Sequence, residues 1–347
     1  MHVKHIGSCY FNVNHNKQSF MQYRNISTSD LKLSVITFGA WAAGGWMWGS
    51  TDRKDAVEAI RASYDLGVSS IDTAPIYGQG TSEEIVGEAI RDLPRDQIQL
   101  LTKFGMRWDL AKGDFAFHSK NNQGEDIEIY KYAGKDSIIY ECEQSLKRLG
   151  TDYIDLYQIH WPDNTTAIAE TFEAVSQLVQ QGKVRYVGVC NYSAKLMEEA
   201  ERTLPIISNQ IPFSMVNRGI EEETVPYCIR HQKSILAYSP LERGLLTGKI
   251  VPGQSFKEGD HRANLPHFQS DFIEKTNILL ERLKPLAADK SASLSQLVLR
   301  WTVERPGITI ALAGARNSQQ SIQNAKAMDI QLSDQELDFM NAVVDAF

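Results

Sequence analysis

Cysteine is scarce in this chain. The four that occur, Cys9, Cys142, Cys190 and Cys228, are widely spaced with no Cys-x-x-Cys pair, so neither a disulfide framework nor a cysteine-held zinc site is expected. A reducing, cytoplasmic setting fits that usage. No stretch approaches the roughly 18 apolar residues of a membrane span, and residues 1 to 20 lack the apolar centre of a signal peptide. Charge of one sign is equally thin: the formal net charge of -7 lies in no block, which gives nucleic acid and anionic membranes nothing to hold. A small molecule is the expected partner, and oligomeric state stays open.

What is present is the material of a sizeable core. At 347 residues, 42% of them hydrophobic, the chain could be two average domains or one α/β barrel of about 250 residues or more. Residues 1 to 20 carry Lys4 and Lys17, with no acid before Asp30, a bias weakly like an organelle transit peptide. They read better as a disordered N-terminal extension ahead of Met21, with the folded domain spanning 21 to 347.

Eight short apolar or β-branched runs recur along that domain: 34 to 39, 69 to 74, 98 to 105, 153 to 160, 184 to 191, 206 to 211, 234 to 240 and 308 to 315. Between them lie amphipathic segments such as "DAVEAIRASYDLG" and "AIAETFEAVSQLVQQG", with apolar residues at helical spacing and glycine at the end. Alternating strands and helices imply a parallel sheet, and eight units close into a (β/α)8 TIM barrel. The rival, an open doubly wound sheet, would carry Gly-x-Gly-x-x-Gly after its first strand. Neither "GAWAAGGWMWG" nor "YGQGTSEE" matches, since Glu83 takes the third glycine's place; Thr81 with Glu84 reads there as a capping box.

Two connections, 106 to 135 after the third strand and about 241 to 270 after the seventh, are too long for turns. They leave the strand C-termini, where a barrel holds its active site, and so read as pocket walls or lids. Trp46, Trp48, Trp108 and Trp161, with Phe115 and Phe117, are candidates to line that pocket.

At the same strand ends stand Asp72 and Tyr77 from "IDTAPIYGQG", Lys103 and His160. A phenol with a pKa of about 10 is a poor proton donor at neutral pH unless a cation favours its phenolate. Lys103 supplies such a cation, Asp72 keeps it charged and oriented, and a neutral His160 donates to a carbonyl oxygen beside the phenol. Each residue alone also fits a structural role. Together they form a site that polarises a C=O group and protonates its oxygen. There is no His-Glu-x-x-His and no Gly-x-Ser-x-Gly, and His261 and His267 near Asp260 lie in a polar loop without a ligand pattern. With no metal expected, a bound hydride donor remains.

These residues resemble the aldo-keto reductase family, (β/α)8 barrels that use NADPH to reduce aldehydes and ketones. The resemblance runs from about Met21 through the final helix, and "DTAPIYG", "LLTKFG" and "LYQIHWPD" are similar to the motifs carrying the family's tetrad. It implies Tyr77 as general acid, Lys103 and Asp72 as its tuners and His160 as the carbonyl-orienting group. It implies Asn191 and Gln210 on the nicotinamide amide, with Cys190 where serine is common. Tyr238 would stack on the nicotinamide, while Ser239, Leu241, Gly244, Thr247 and Lys249 wrap the pyrophosphate. In "GARNSQQSIQN", Arg316 and Gln320 would hold the 2'-phosphate of NADP and Asn324 the adenine, with a helix starting near Asn317. The expected activity is reversible reduction of small aldehydes. Two alternatives accompany it: an NADPH-binding regulatory subunit of the channel-β type, and an NAD-linked sugar or inositol dehydrogenase.

Overall fold

All eight apolar runs form strands. The computed structural model describes residues 21–49 and 51–347; the expected N-terminal extension lies outside them. The strands are β1 (Ile36–Gly39), β2 (Ser70–Asp72), β3 (Gln99–Phe104), β4 (Ile154–Ile159), β5 (Val184–Cys190), β6 (Ser208–Pro212), β7 (Ser234–Tyr238) and β8 (Ile308–Gly314). They pair in parallel in chain order, and β8 closes onto β1 through Leu312 opposite Thr37 and Gly314 opposite Gly39. Closure leaves the barrel itself no free edge.

Around it run α1 (Arg53–Tyr64), α2 (Thr81–Ile90), α3 (Lys135–Leu149), α4 (Ile168–Gln180), α5 (Ala194–Glu201), α6 (Thr224–Arg230), α7 (Ser270–Asp289), α8 (Leu294–Glu304), α9 (Ser318–Ala325) and α10 (Asp334–Asp345). Their starts are legible locally. Ser293 with Gln296 opens α8 and Ser333 with Glu336 opens α10, both as reciprocal capping boxes. The box expected at Thr81 does not form. Gly80, at φ 98°, is the N-cap of α2, and Thr81 Oγ1 donates back to the Gly78 carbonyl at 2.6 Å.

Inside the barrel, Leu101, Leu156, Leu236 and Ile310 pack with Ile26, Leu31 and Leu33. The last three belong to an antiparallel hairpin, Tyr23–Asn25 with Lys32–Ser34, whose apolar residues fill the barrel end opposite the site. Each such side chain contributes about 1.5–3 kcal/mol when fully buried.

The two long connections are structured. Residues 106–135 fold into an antiparallel sheet of Met106–Arg107, Asp114–Lys120 and Asp126–Lys131. Its Met106 and Ile129 pack on Trp46 and Ile76, which fixes one wall above the barrel. The segment after β7 holds three 3-10 turns, Glu242–Thr247, His261–Asn264 and Pro266–Phe268.

Candidate active site

Side chains two apart on a strand share a face. On β3, Leu101 faces the apolar interior, and Lys103 stands one layer higher on the same side. Its ammonium is fully buried, where an unpaired charge is very costly. Asp72, at the end of β2, meets it: Lys103 Nζ donates to Asp72 Oδ1 at 2.6 Å and to the Thr73 carbonyl at 2.8 Å. Burial alone pulls the lysine toward losing its proton, but Asp72 and Tyr77 outweigh it and leave its pKa raised.

Tyr77 sits on the turn between β2 and α2. Two glycines let that turn press against the residues after β1: a Cβ at Gly44 would lie 2.7 Å from the Tyr77 carbonyl oxygen, and one at Gly78 (φ 69°) only 2.5 Å from the Gly44 carbonyl oxygen. Either addition would drive the phenol out of place. The Tyr77 ring lies 5.0 Å from Lys103 Nζ, edge-on to the His160 ring at 5.6 Å, and stacked against Trp41 at 5.9 Å.

Enclosure pushes the Tyr77 phenol up to about 12; the nearby Lys103 cation pulls the other way without prevailing. A lysine that makes the phenol acidic was the expectation. The structure has burial winning, so the phenol holds its proton at neutral pH. For His160, burial and then Lys103 press its pKa well below the usual 6.5. Its imidazole is neutral, as expected from the sequence.

Tyr77 and His160 open onto a cavity of about 860 Å³. Trp46, Trp48 and Trp161 line it, as does Phe117. Trp108 and Phe115 are not on its wall: Trp108 packs behind it against the Trp46 and Met106 cluster, and Phe115 is exposed beside Tyr130. At the barrel rim, Asn191 (φ 59°) donates to the His160 carbonyl at 3.0 Å and accepts from the Tyr238 hydroxyl at 3.0 Å. Gln210 donates to Asp72 Oδ2 at 2.8 Å, and the buried Cys190 thiol lies on the same wall, its pKa raised by burial.

The cavity continues as a groove past Ser239, Leu241, Gly244, Thr247 and Lys249 to Arg316, Gln320 and Asn324. Positive φ at Ser239 (55°), Glu242 (43°), Arg243 (52°) and Gly244 (95°) curls the backbone after β7 into a cradle. At the far end Asn317 caps α9 by accepting from Gln320 N at 3.0 Å, and Arg316 N donates to Gln320 Oε1 at 2.9 Å. Asn324 Nδ2 is tied to the Gly314 carbonyl at 3.0 Å.

Several lining residues had no sequence signal strong enough to single them out. Trp41, Arg243 and Arg262 are among them, and His261, which reads in the sequence as a loop residue without a ligand pattern, also lines the cavity. The turn after β1 and the loop after β7 meet over the groove, where His261 Nδ1 lies 2.6 Å from the Met47 carbonyl and the His261 ring 5.0 Å from that of Trp41. His267 Nδ1 lies 3.2 Å from Glu242 Oε1. Among the described residues there is no histidine, cysteine or carboxylate cluster that would hold a metal.

Residues 35–345 match the Aldo/keto reductase family. The chain belongs to it. An aldo-keto reductase of Bacillus subtilis is 41% identical over 302 residues, 86% of either chain. An NADH-specific methylglyoxal reductase of Escherichia coli is 36% identical over 326 residues, 92% of this chain and 98% of that one. Among solved structures, a glycerol dehydrogenase from Gluconobacter oxydans superposes with a TM-score of 0.82 at 35% identity, covering 93% of this chain and 95% of its own. As an aldo/keto reductase, the protein is an oxidoreductase on a TIM barrel, from a family that uses a nicotinamide cofactor. Among its described residues no helix is long and apolar enough to cross a membrane.

Proposed function

We propose that this aldo/keto reductase reduces small aldehydes with NADPH, Tyr77 giving the proton and His160 aligning the carbonyl. The observation that carries the reading is the arrangement at the cavity floor: a protonated phenol edge-on to a neutral imidazole, with the buried Lys103 and Asp72 pair beneath it. When bound, the reduced nicotinamide supplies the hydride that attacks the carbonyl carbon.

Everything else falls to the chain. The substrate oxygen sits between the Tyr77 hydroxyl and the His160 ring, so that both donate to it as negative charge develops. Tyr77 then passes its proton to the oxygen, and Lys103 stabilises the phenolate left behind, 5.0 Å from the ring. Asp72 holds Lys103 in place throughout. In the direction of alcohol oxidation the same phenolate takes the proton back.

The residues fit the cofactor. Asn191 and Gln210 bring amide groups to one end of the groove for the nicotinamide carboxamide, and Tyr238 offers its ring face. The curled backbone through Ser239, Leu241 and Gly244, with Thr247 and Lys249, suits a pyrophosphate, since turned N–H groups and a cation both favour an anion. Arg316 and Gln320 at the start of α9 serve the 2'-phosphate, and Asn324 the adenine. This donor set favours NADP; the NADH-specific relative makes the choice one for this chain's own Arg316. Trp41, Trp46, Trp48, Ile76, Met106 and Phe117 make the substrate wall apolar. That suits small aldehydes with few hydroxyls.

The test is steady-state oxidation of NADPH and NADH with a panel of small aldehydes. Turnover with NADPH that falls about 10²–10⁴-fold in Tyr77→Phe supports the reading. Absence of aldehyde turnover, or a loss below about tenfold in that variant, overturns it.

A further inference from the structure

Gln158 is a fully buried glutamine on a strand whose other positions are mostly apolar. A buried amide destabilises the fold unless its N–H and C=O groups find partners. The strand register sets Gln158 beside Lys103 of β3 and Gly188 of β5. Gly188 makes the room: a Cβ there would lie 3.2 Å from Gln158 Cγ and 2.5 Å from Ser208 Oγ.

The partners are those of the site itself. Gln158 Nε2 donates to Asp72 Oδ2 at 3.3 Å, and Gln210 Nε2 donates to the same oxygen at 2.8 Å. Gln210 Nε2 also lies 3.4 Å from Gln158 Oε1. Lys103 occupies the other carboxylate oxygen.

Chemistry orients both amides. The one Asp72 oxygen facing them, Oδ2, accepts, so both NH2 groups turn toward it. That leaves the Gln158 carbonyl to accept the second N–H of Gln210. With its NH2 group held on two acceptors, Gln210 has only its carbonyl to present to the cavity it lines.

We propose that Gln158 is a positioning residue: it holds Asp72 Oδ2 so that Oδ1 stays on Lys103, and it fixes Gln210 with its carbonyl toward the nicotinamide carboxamide. The inference rests on the placement of nicotinamide at this end of the groove. Without Gln158, the Gln210 amide keeps its bond to Asp72 Oδ2 but loses its second acceptor and swings about that one bond, so its carbonyl is no longer held on the carboxamide.

The experiment uses Gln158→Leu, close in size and without polar atoms, with Gln158→Met as a second variant should the first fold poorly; thermal unfolding of the full chain reports folding. Calorimetric titration measures affinity for NADPH and for 2'-phospho-ADP-ribose, which lacks the nicotinamide, and kcat is read with an aldehyde. The expected result is NADPH affinity weakened about tenfold or more, kcat lowered about 10- to 100-fold, and 2'-phospho-ADP-ribose affinity within about twofold of wild type. Equal weakening of both ligands marks general disruption and overturns the proposal, as does no change in either. The binding arm stands apart from turnover: a wild type that binds NADPH but reduces no aldehyde sinks the functional reading and leaves the Gln158 comparison intact. A wild type that binds no nicotinamide dinucleotide overturns both.

Discussion

Lys103 Nζ lies 2.6 Å from Asp72 Oδ1 inside the barrel, with essentially no solvent reaching either group. The two partners are not equally supported. Among the described residues, Asp72 keeps two amide donors besides the lysine, whereas Lys103 keeps the Thr73 carbonyl and a weaker contact with the Tyr77 phenol. Removing one member of a buried pair typically costs about 3–5 kcal/mol. Asp72→Asn, which leaves the cation stranded, should therefore lose more stability than Lys103→Met. Urea unfolding of both variants checks the order; the reverse order would mean that the amides contribute nothing to Asp72.

The position of the Tyr77 phenol at about 12 has a kinetic signature. In the proposed function reduction needs the protonated phenol, which persists throughout the neutral range, so its rate should stay flat from about pH 6 to 9. Alcohol oxidation needs the phenolate and should rise by about tenfold per pH unit in that range while proton removal limits the rate. A reduction profile that falls with a midpoint near 7 would assign the acid to another group.

Arg316 carries the choice of nucleotide in the proposed function. Losing a hydrogen bond to a charged group costs about 1.5–3 kcal/mol, so Arg316→Ala should raise the KM for NADPH by about 10- to 100-fold and leave that for NADH nearly unchanged. Equal effects on both cofactors would remove the 2'-phosphate from Arg316.

Glu141 on α3 is fully enclosed and accepts from Gly105 N at 3.0 Å and from the Ser137 hydroxyl at 3.0 Å. Burial pushes its carboxyl up to about 8 against the pull of Arg107 and these donors. Between its ordinary 4.5 and 8 the folded chain holds a proton that the unfolded chain has released, so stability falls as pH rises through that window. Glu141→Gln removes the titration. Its Tm should fall less than that of wild type between pH 5 and 8, and parallel curves would show that Glu141 does not titrate in this range.

The chain by itself determined the order of strands and helices, because periodicities of two and 3.6 are written among near neighbours. It also determined which ends carry Asp72, Lys103 and His160, since a parallel strand feeding a helix sends its last residues to one face. Local patterns were misleading where backbone geometry intervened. The Thr81 cap yielded to Gly80 at φ 98°, and the segment 106–135, too polar and short in its alternations to read as strands, folded into a sheet against Trp46 and Ile76.

Only the tertiary structure decided what those residues meet. Trp41 and His261 belong to separate loops, yet their rings lie 5.0 Å apart over the groove. Gln158 donates to a carboxylate 86 residues away and accepts from an amide 52 residues away. Barrel closure sets those pairs, and so does the balance at Tyr77, where enclosure outweighs a neighbouring cation. That balance depends on how tightly the chain packs around the phenol, a quantity that no neighbouring residue encodes.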